Sequence, residues 1–314
     1  MSETVAAIDC GTNSIRLLLA GPGQDGQALS DVDRRTEIVR LGQGVDATGE
    51  FHPDALARTF AVVDEYAEEI RVAGVPAAAV HFVATSASRD AKNRDEFFAG
   101  IESRLGVGPD VISGDTEARL SYAGALSRVR PDGEPVLVTD IGGGSTELIV
   151  GSADGRLASA VSLDVGSVRL TERFLGAGPP AAPDLQQARA YVDALLDDCG
   201  VDFAGLRSWV GVAGTITTLA GVHLELVAYD RERVHGAKIP RADVIALSER
   251  LDGLGLDEIR ALPSMHPQRA DVIAGGALVA ERIAARTVVA DLLVSESDIL
   301  DGIALALLRR DQLG

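Results

Sequence analysis

The sequence runs to 314 residues with 46% hydrophobic side chains, 29 basic against 47 acidic residues, a formal net charge of −18 and two cysteines. That much apolar material supports a sizeable core, expected as two domains, while the negative balance excludes a protein that coats DNA or RNA by neutralising phosphates. Cys10 and Cys199 lie far apart without metal-ligand spacing, which excludes a disulfide framework or a zinc site.

The chain opens Met-Ser-Glu-Thr with Asp9 interrupting its first apolar run, so no signal peptide is expected. No uncharged stretch approaches the roughly 20 residues of a membrane span, so a cytoplasmic location without a membrane partner is expected. An internal repeat comes first: Val5 to Leu19 lies over Val136 to Val150, each copy an apolar strand, an Asp, a turn rich in glycine and hydroxyls, and a second apolar strand. Asp9 matches Asp140, Gly11 matches Gly142, and Arg16 falls opposite Glu147. Between the two hairpins the pattern predicts a helix over 53–73, a strand over 80–84, a helix over 93–105, a strand near Val111 and a helix over 119–128. After the second hairpin come a strand over 157–163, a turn at Gly166, a proline-rich break at 178–183 and a helix over 183–199. A strand over 208–212, helices over 240–251 and 269–286, a strand over 288–294 and a last helix from Ile299 to Arg309 complete the mixed α/β pattern.

The chemistry gathers in the turns. Gly11, Thr12, Asn13, Ser14 and Arg16 crowd polar groups where an ordinary hairpin needs one or two, which suits a phosphate held by backbone N–H groups. Gly142, Gly143, Gly144, Ser145 and Thr146 form the second turn. Three glycines in a row weaken a strand unless a ligand or another backbone must come close, and the bracketing Asp140 and Glu147 suit a hard Mg²⁺ that bridges phosphate oxygens. Arg89, Lys92, Asn93 and Arg94 collect at a helix start after a strand, where either an anion site or a solvated cap fits. Glu117 lies just inside a helix start, a position that capping alone would explain. Gly214 and Thr215, after the strand over 208–212, either bind phosphate or cap the next helix. His235 and His266 read as turn or packing residues, and no serine or cysteine has the setting of a covalent nucleophile.

The segments DCGTNSIRL (9–17), ATSASRDAKN (84–93), ISGDTEARL (112–120), DIGGGSTEL (140–148), GVAGTITTLA (211–220), VHG (234–236) and MHPQRADVIAGGAL (265–278), in this order, resemble the exopolyphosphatase and guanosine pentaphosphate phosphohydrolase (Ppx/GppA) family nearly end to end. The resemblance implies an α/β fold of two ribonuclease-H-like domains of the actin-like ATPase superfamily with a cleft between them. The expected domains are 1–122, with the last helix (298–314) packing back on it, and 123–297. It implies Mg²⁺-dependent hydrolysis of terminal phosphate from inorganic polyphosphate, with orthophosphate released. By the same resemblance Glu117 takes the position of the family's catalytic base, Asp140 and Glu147 would hold metal or orient water, and Gly143, Gly144, Ser145, Thr12, Asn13, Ser14 and Arg89 would contact phosphate. Phosphoryl transfer is chiefly positioning and charge neutralisation, which fits this division of roles.

This sequence departs from the family pattern twice: Thr116 stands where a glutamate is usual, and a late Arg-Glu-Gly segment reads Ile299-Leu300-Asp301-Gly302. Longer relatives carry a further carboxy-terminal helical domain beyond the point matching Gly314, so processivity on long chains is not part of the expectation. The rival readings are a guanosine pentaphosphate 5′-phosphohydrolase, a polyphosphate or alarmone sensor without turnover, and a small-molecule kinase. Expected partners are the phosphate-rich substrate and no nucleic acid, with a homodimer allowed.

Overall fold

The computed structural model describes residues 4–23, 28–176 and 178–309. Chain packing divides it into two units, one of residues 1–128 and 297–314 and the other of residues 129–296. In chain order the first unit contains β1 (Val5–Cys10), β2 (Ser14–Pro22), β3 (Leu29–Ile38), α1 (Val45–Thr48), α2 (Pro53–Val72), β4 (Val80–Ala84), α3 (Ser86–Asp90), α4 (Arg94–Leu105), β5 (Asp110–Val111) and α5 (Gly114–Ala125). The second contains β6 (Val136–Ile141), β7 (Thr146–Gly151), β8 (Leu157–Leu163), α6 (Ser167–Leu170) running on into a π-turn at Thr171–Leu175, α7 (Ala182–Asp198), β9 (Ser208–Val212) and α8 (Ala213–His223). It continues through α9 (Arg231–Val234), β10 (Lys238–Pro240), α10 (Arg241–Asp252), α11 (Leu256–Arg260), α12 (Ile273–Arg286) and β11 (Asp291–Val294) before α13 (Ile299–Arg309) closes the first unit.

The two units repeat one sheet plan. In the first the order is β3-β2-β1-β4-β5, an antiparallel meander extended by two parallel strands. In the second it is β8-β7-β6-β9-β11, with β10 added antiparallel at the far edge. Each unit is thus a mixed sheet with helices, which is the two-domain α/β organisation expected from the sequence. β1 and β6 are buried along their whole lengths, as strands covered on both faces must be, and both read as near-continuous apolar runs. The plan also sets the C-terminal ends of β1, β4 and β5 side by side in one unit, and those of β6, β9 and β11 in the other, where open α/β sheets bind ligands.

In the first unit Phe51, Phe82 and Phe97 meet edge to face, with ring centroids 5.5 and 6.1 Å apart, between the sheet and helices α2 and α4. The other sheet face is covered by α13, whose Ile299, Leu300, Ile303 and Ala304 join Ala7, Leu18, Val83 and Leu120. Two glycines permit this closeness. A Cβ on Gly124 would stand 1.7 Å from the Asp298 carbonyl, and one on Gly302 would stand 2.0 Å from that of Leu120, so α5 and α13 touch backbone to backbone. In the second unit the buried Trp209 donates through Nε1 to Thr139 (3.0 Å), satisfying its one polar group inside the core.

Several elements differ from the sequence pattern. The ten-residue β3 is absent from it because it is an edge strand carrying Asp31, Asp33, Arg34, Arg35 and Glu37, and its charges mask the alternation. The helix expected over 119–128 runs from Gly114 to Ala125, because the Ser113 hydroxyl caps the Thr116 N–H at 3.2 Å. The helix expected from 269 starts at Ile273, after a turn in which the Arg269 N–H reaches the His266 carbonyl. The strand expected from Val288 begins at Asp291, Val288 being 57% exposed. The last residues of the expected terminal helix, 310–314, lie outside the described residues. No described helix is long and apolar enough to cross a membrane.

Candidate functional site

The duplicated hairpins close with the same bond. Gly11 N–H donates to the Ser14 carbonyl and Gly142 N–H to that of Ser145, each at 3.0 Å. In the first unit the turn is clamped from below, with the Asn13 carbonyl accepting from Val39 (3.1 Å) and Arg40 (2.9 Å) and the Thr12 carbonyl accepting from Gly42 (2.8 Å). A Cβ on Gly42 would stand 2.3 Å from the Thr12 methyl, so only glycine lets this strap close. With its carbonyls taken from one side, the turn is left to bind through N–H groups and hydroxyls.

Arg89 and Glu117 meet beside that turn. Thr85 N–H donates to the Cys10 carbonyl and Ile112 N–H to that of Ala84, both at 3.3 Å, so the loops after β1, β4 and β5 sit along one sheet end. Arg89, on α3 after β4, donates Nη1 to Glu117 Oε2 (2.8 Å) and to the Ile112 carbonyl (3.0 Å). Glu117, in the first turn of α5, is 6% exposed. Its neighbour Thr116, where the family usually has a glutamate, spends its N–H on the Ser113 cap and accepts from Arg119 at Oγ1 (2.9 Å).

Two expected phosphate contacts are placed elsewhere. Asn93 folds its amide onto one peptide, Oδ1 accepting from Phe51 N–H (2.8 Å) and Nδ2 donating to the Phe51 carbonyl (3.1 Å); a planar amide facing a peptide edge makes both bonds at once. Arg16 stands opposite Asp9 across the β1/β2 ladder and donates from Nε (3.0 Å) and Nη2 (2.6 Å) to Asp9 Oδ2, while Nη1 pairs with Asp298. Asp298 also caps α13 by accepting the Leu300 N–H, and its own N–H donates to Asp301. Burial pushes the Asp298 carboxyl up, but Arg16 and Arg34 outweigh it and hold the group below its ordinary value. Burial prevails over Arg16 at Asp9, whose carboxyl lies above the usual range, and Asp9 Oδ1 is a buried oxygen without a hydrogen bond.

In the second unit, ladder register puts Asp140 opposite Glu147 and Glu147 opposite Ser162, a row on one sheet face. Asp140 is 8% exposed and Glu147 2%, and Ser162 Oγ donates to Glu147 Oε1 at 2.8 Å. Where the first unit has Asp9 and Arg16, a closed ion pair, the second has two carboxylates. Two neighbouring oxygen donors fit a hard divalent cation completed by phosphate and water, since Mg²⁺ is commonly held by one or two carboxylates. The triple-glycine turn is buttressed by α6: Ser167 N–H donates to the Gly142 carbonyl (2.9 Å), and Val168 (2.9 Å) and Arg169 (3.1 Å) donate to that of Gly143. Gly166 allows this approach, because its Cβ would stand 2.6 Å from the Gly143 carbonyl. The Thr146 hydroxyl is spent on the Val165 carbonyl (2.6 Å), whereas Ser145 is 5% exposed at the turn.

Gly214 is the second residue of α8, after Ala213, which directly follows β9 and whose φ of 65° is rare for a residue with a side chain. Arg269 fills the space above it, its Nη1 standing 1.4 Å from where a Gly214 Cβ would be. Thr215 is buried, its methyl packed against Gly276. Sequence reasoning missed Arg269, Ser162 and Gly166 as parts of these loops. Ser162 was legible in principle from strand register; the other two depend on chain returning from elsewhere. His235 proves a turn residue, its Nδ1 accepting from Glu296 N–H at 3.1 Å.

Comparison with known proteins places the whole chain among its relatives. The profile of the Ppx/GppA phosphatase family matches residues 23–309. The chain is 46% identical to exopolyphosphatase 2 of Mycobacterium tuberculosis, over 96% of this chain and 98% of that protein. It is 33% identical to a bifunctional 3-dehydroquinate synthase/phosphatase of Fusobacterium nucleatum, over 95% of this chain and 45% of that protein. Among solved structures, an exopolyphosphatase-like protein matches with a TM-score of 0.91 at 39% identity, covering 98% of both chains. A Ppx/GppA protein of Aquifex aeolicus matches at 0.81 and 29% identity, covering 98% of this chain and 99% of that one. The chain belongs to the Ppx/GppA phosphatase family.

Proposed function

We propose that this protein is an exopolyphosphatase, removing terminal phosphate from inorganic polyphosphate. The observation that carries the reading is Glu117, a nearly buried carboxylate gripped at 2.8 Å by Arg89 on the sheet end that also holds the 11–14 turn. Such a carboxylate is fixed in orientation, which general-base chemistry requires, and it is more than a helix cap needs.

In this mechanism the N–H groups and hydroxyls of Thr12, Asn13 and Ser14 in the first unit, and those of Gly143, Gly144 and Ser145 in the second, each offer a cradle for phosphate, with Arg89 supplying positive charge in the first and Arg269 in the second. Glu117 orients a water and takes its proton as the water oxygen bonds to the terminal phosphorus. The bridging P–O bond breaks, orthophosphate forms, and the shortened chain leaves with the bridging oxygen. Asp140 and Glu147 would hold Mg²⁺, which when bound neutralises charge on the phosphate oxygens. Arg16 and Asn93 are left out of the phosphate set, since each is spent within the first unit. The name exopolyphosphatase borne by the mycobacterial relative supports this substrate over guanosine pentaphosphate.

The test is phosphate release with Mg²⁺ from short polyphosphate, long polyphosphate and guanosine pentaphosphate in parallel. The expected result is turnover of polyphosphate ahead of the nucleotide. Faster release from guanosine pentaphosphate would reverse the substrate assignment, and binding without release from any of the three would make the protein a sensor.

A further inference from the structure

The duplicated sheets place a third side chain in line with each hairpin pair. In the first unit the row reads Asp9, Arg16 and Thr36 across β1, β2 and β3; in the second it reads Asp140, Glu147 and Ser162 across β6, β7 and β8. Residues directly opposite on one face of an antiparallel sheet are neighbours whose side chains interact. In the first unit the central residue is a cation, and it closes on Asp9 and Asp298. In the second it is a carboxylate, and the third residue turns a hydroxyl onto it, Ser162 Oγ donating to Glu147 Oε1 at 2.8 Å.

Ladder geometry makes that contact close and well fixed. Gly142 and Ser145 are a bonded pair, and an antiparallel ladder alternates bonded and non-bonded pairs. Glu147 therefore turns its backbone N–H and C=O toward β6 and faces Ser162 at a non-bonded position, where opposite side chains stand closest. The end of β8 is tied to the same turn, since Leu163 pairs with Thr146 and the Thr146 hydroxyl donates to the Val165 carbonyl (2.6 Å). An ionised carboxylate can only accept, so the serine is the donor. The last torsion of a glutamate is broad and roughly two-fold, and a hydroxyl held on a fixed strand selects one orientation of the carboxylate plane. With Glu147 only 2% exposed, Ser162 rather than bulk water supplies this contact.

We propose that Ser162 is a positioning residue for the carboxylate pair, holding Glu147 in the orientation in which it and Asp140 together take a divalent cation. The proposal rests on the reading of those two carboxylates as the ligands of Mg²⁺. Ligating carboxylates are themselves oriented by hydrogen bonds from residues behind them, and losing such a partner typically weakens metal affinity or activity by about 10–100-fold. Ser162 acts through Glu147, so its loss shows first as weaker cation binding, which a higher Mg²⁺ concentration offsets.

Mn²⁺ uptake by the full chain, followed as loss of the free-ion electron paramagnetic resonance signal and competed with Mg²⁺, tests this on the wild type, Ser162→Ala, Ser162→Thr and Glu147→Gln. Ser162→Ala is expected to weaken Mg²⁺-competed Mn²⁺ binding about tenfold, and to raise the Mg²⁺ concentration for half-maximal orthophosphate release from polyphosphate in step. Ser162→Thr keeps the hydroxyl and is expected to restore both. A wild-type chain that takes up no Mn²⁺, or a Glu147→Gln chain that takes it up unaltered, would overturn the ligand reading and the proposal with it. Loss of binding in Glu147→Gln with undiminished binding in Ser162→Ala would overturn the proposal alone. So would a Ser162→Ala chain that is slower at every Mg²⁺ concentration with unchanged Mn²⁺ affinity, which is the behaviour of a packing residue.

Discussion

Arg16 shows how a residue with the right chemistry can be spoken for by the fold. Its guanidinium forks between Asp9 and Asp298, both nearly buried, so losing one carboxylate still leaves it paired with the other. Asp298→Asn removes one charged hydrogen bond and is expected to cost the first unit about 1.5–3 kcal/mol, read as a lower urea midpoint; a change under about 0.5 kcal/mol would mean that Asp9 alone satisfies Arg16. His81 acts in the opposite sense. Burial lowers its pKa below 6.5 despite the Asp110 carboxylate 3.3 Å away. The unfolded chain therefore takes up a proton at His81 as pH falls through 6.5 while the folded chain resists, so stability declines from that pH down to the lower folded value. His81→Gln is expected to flatten this part of the pH profile of urea unfolding, and an unchanged slope would assign it to other groups.

Among the elements, α5 and α13 depend on two glycines more than on any side chain. Gly302→Ala places a methyl 2.0 Å from the Leu120 carbonyl, which forces the helices apart; a loss of about 1–3 kcal/mol is expected in thermal unfolding, as for other overpacked cores. An unaltered melting temperature would show that the crossing yields freely. The hairpins, β4, β8, β9 and α13 were legible in sequence because their apolar runs are bounded by glycine or polar turns. β3 was not, since an edge strand with one wet side carries charges that hide its period. The glycine turns and the carboxylates Asp140 and Glu147 were visible as a repeat. The partners that close the loops, Gly42 under Thr12, Gly166 under Gly143 and Arg269 over Gly214, are set by packing between distant segments and leave no local signal. The same holds for Asn93: nothing near it in sequence announces that Phe51 will occupy both ends of its amide.

At the scale of the whole molecule, duplication and divergence explain the division of labour. Two sheets of one plan each present a glycine turn with an identical closing bond. One copy keeps an Asp-Arg pair and adds Arg89 and Glu117 beside its turn, while the other replaces the arginine with Glu147 and gains a carboxylate row. The proposed base thus belongs to one unit and the proposed metal ligands to the other, and substituting the base is expected to leave the fold of the second unit unchanged. The decisive comparison is the rate of orthophosphate release from polyphosphate by the wild-type chain and by Glu117→Gln, with polyphosphate binding measured on both. Loss of the positioned base is expected to lower kcat by about 10²–10⁴-fold while binding persists. A Glu117→Gln chain that releases phosphate at the wild-type rate would contradict Glu117 as the general base and return it to the role of a helix cap.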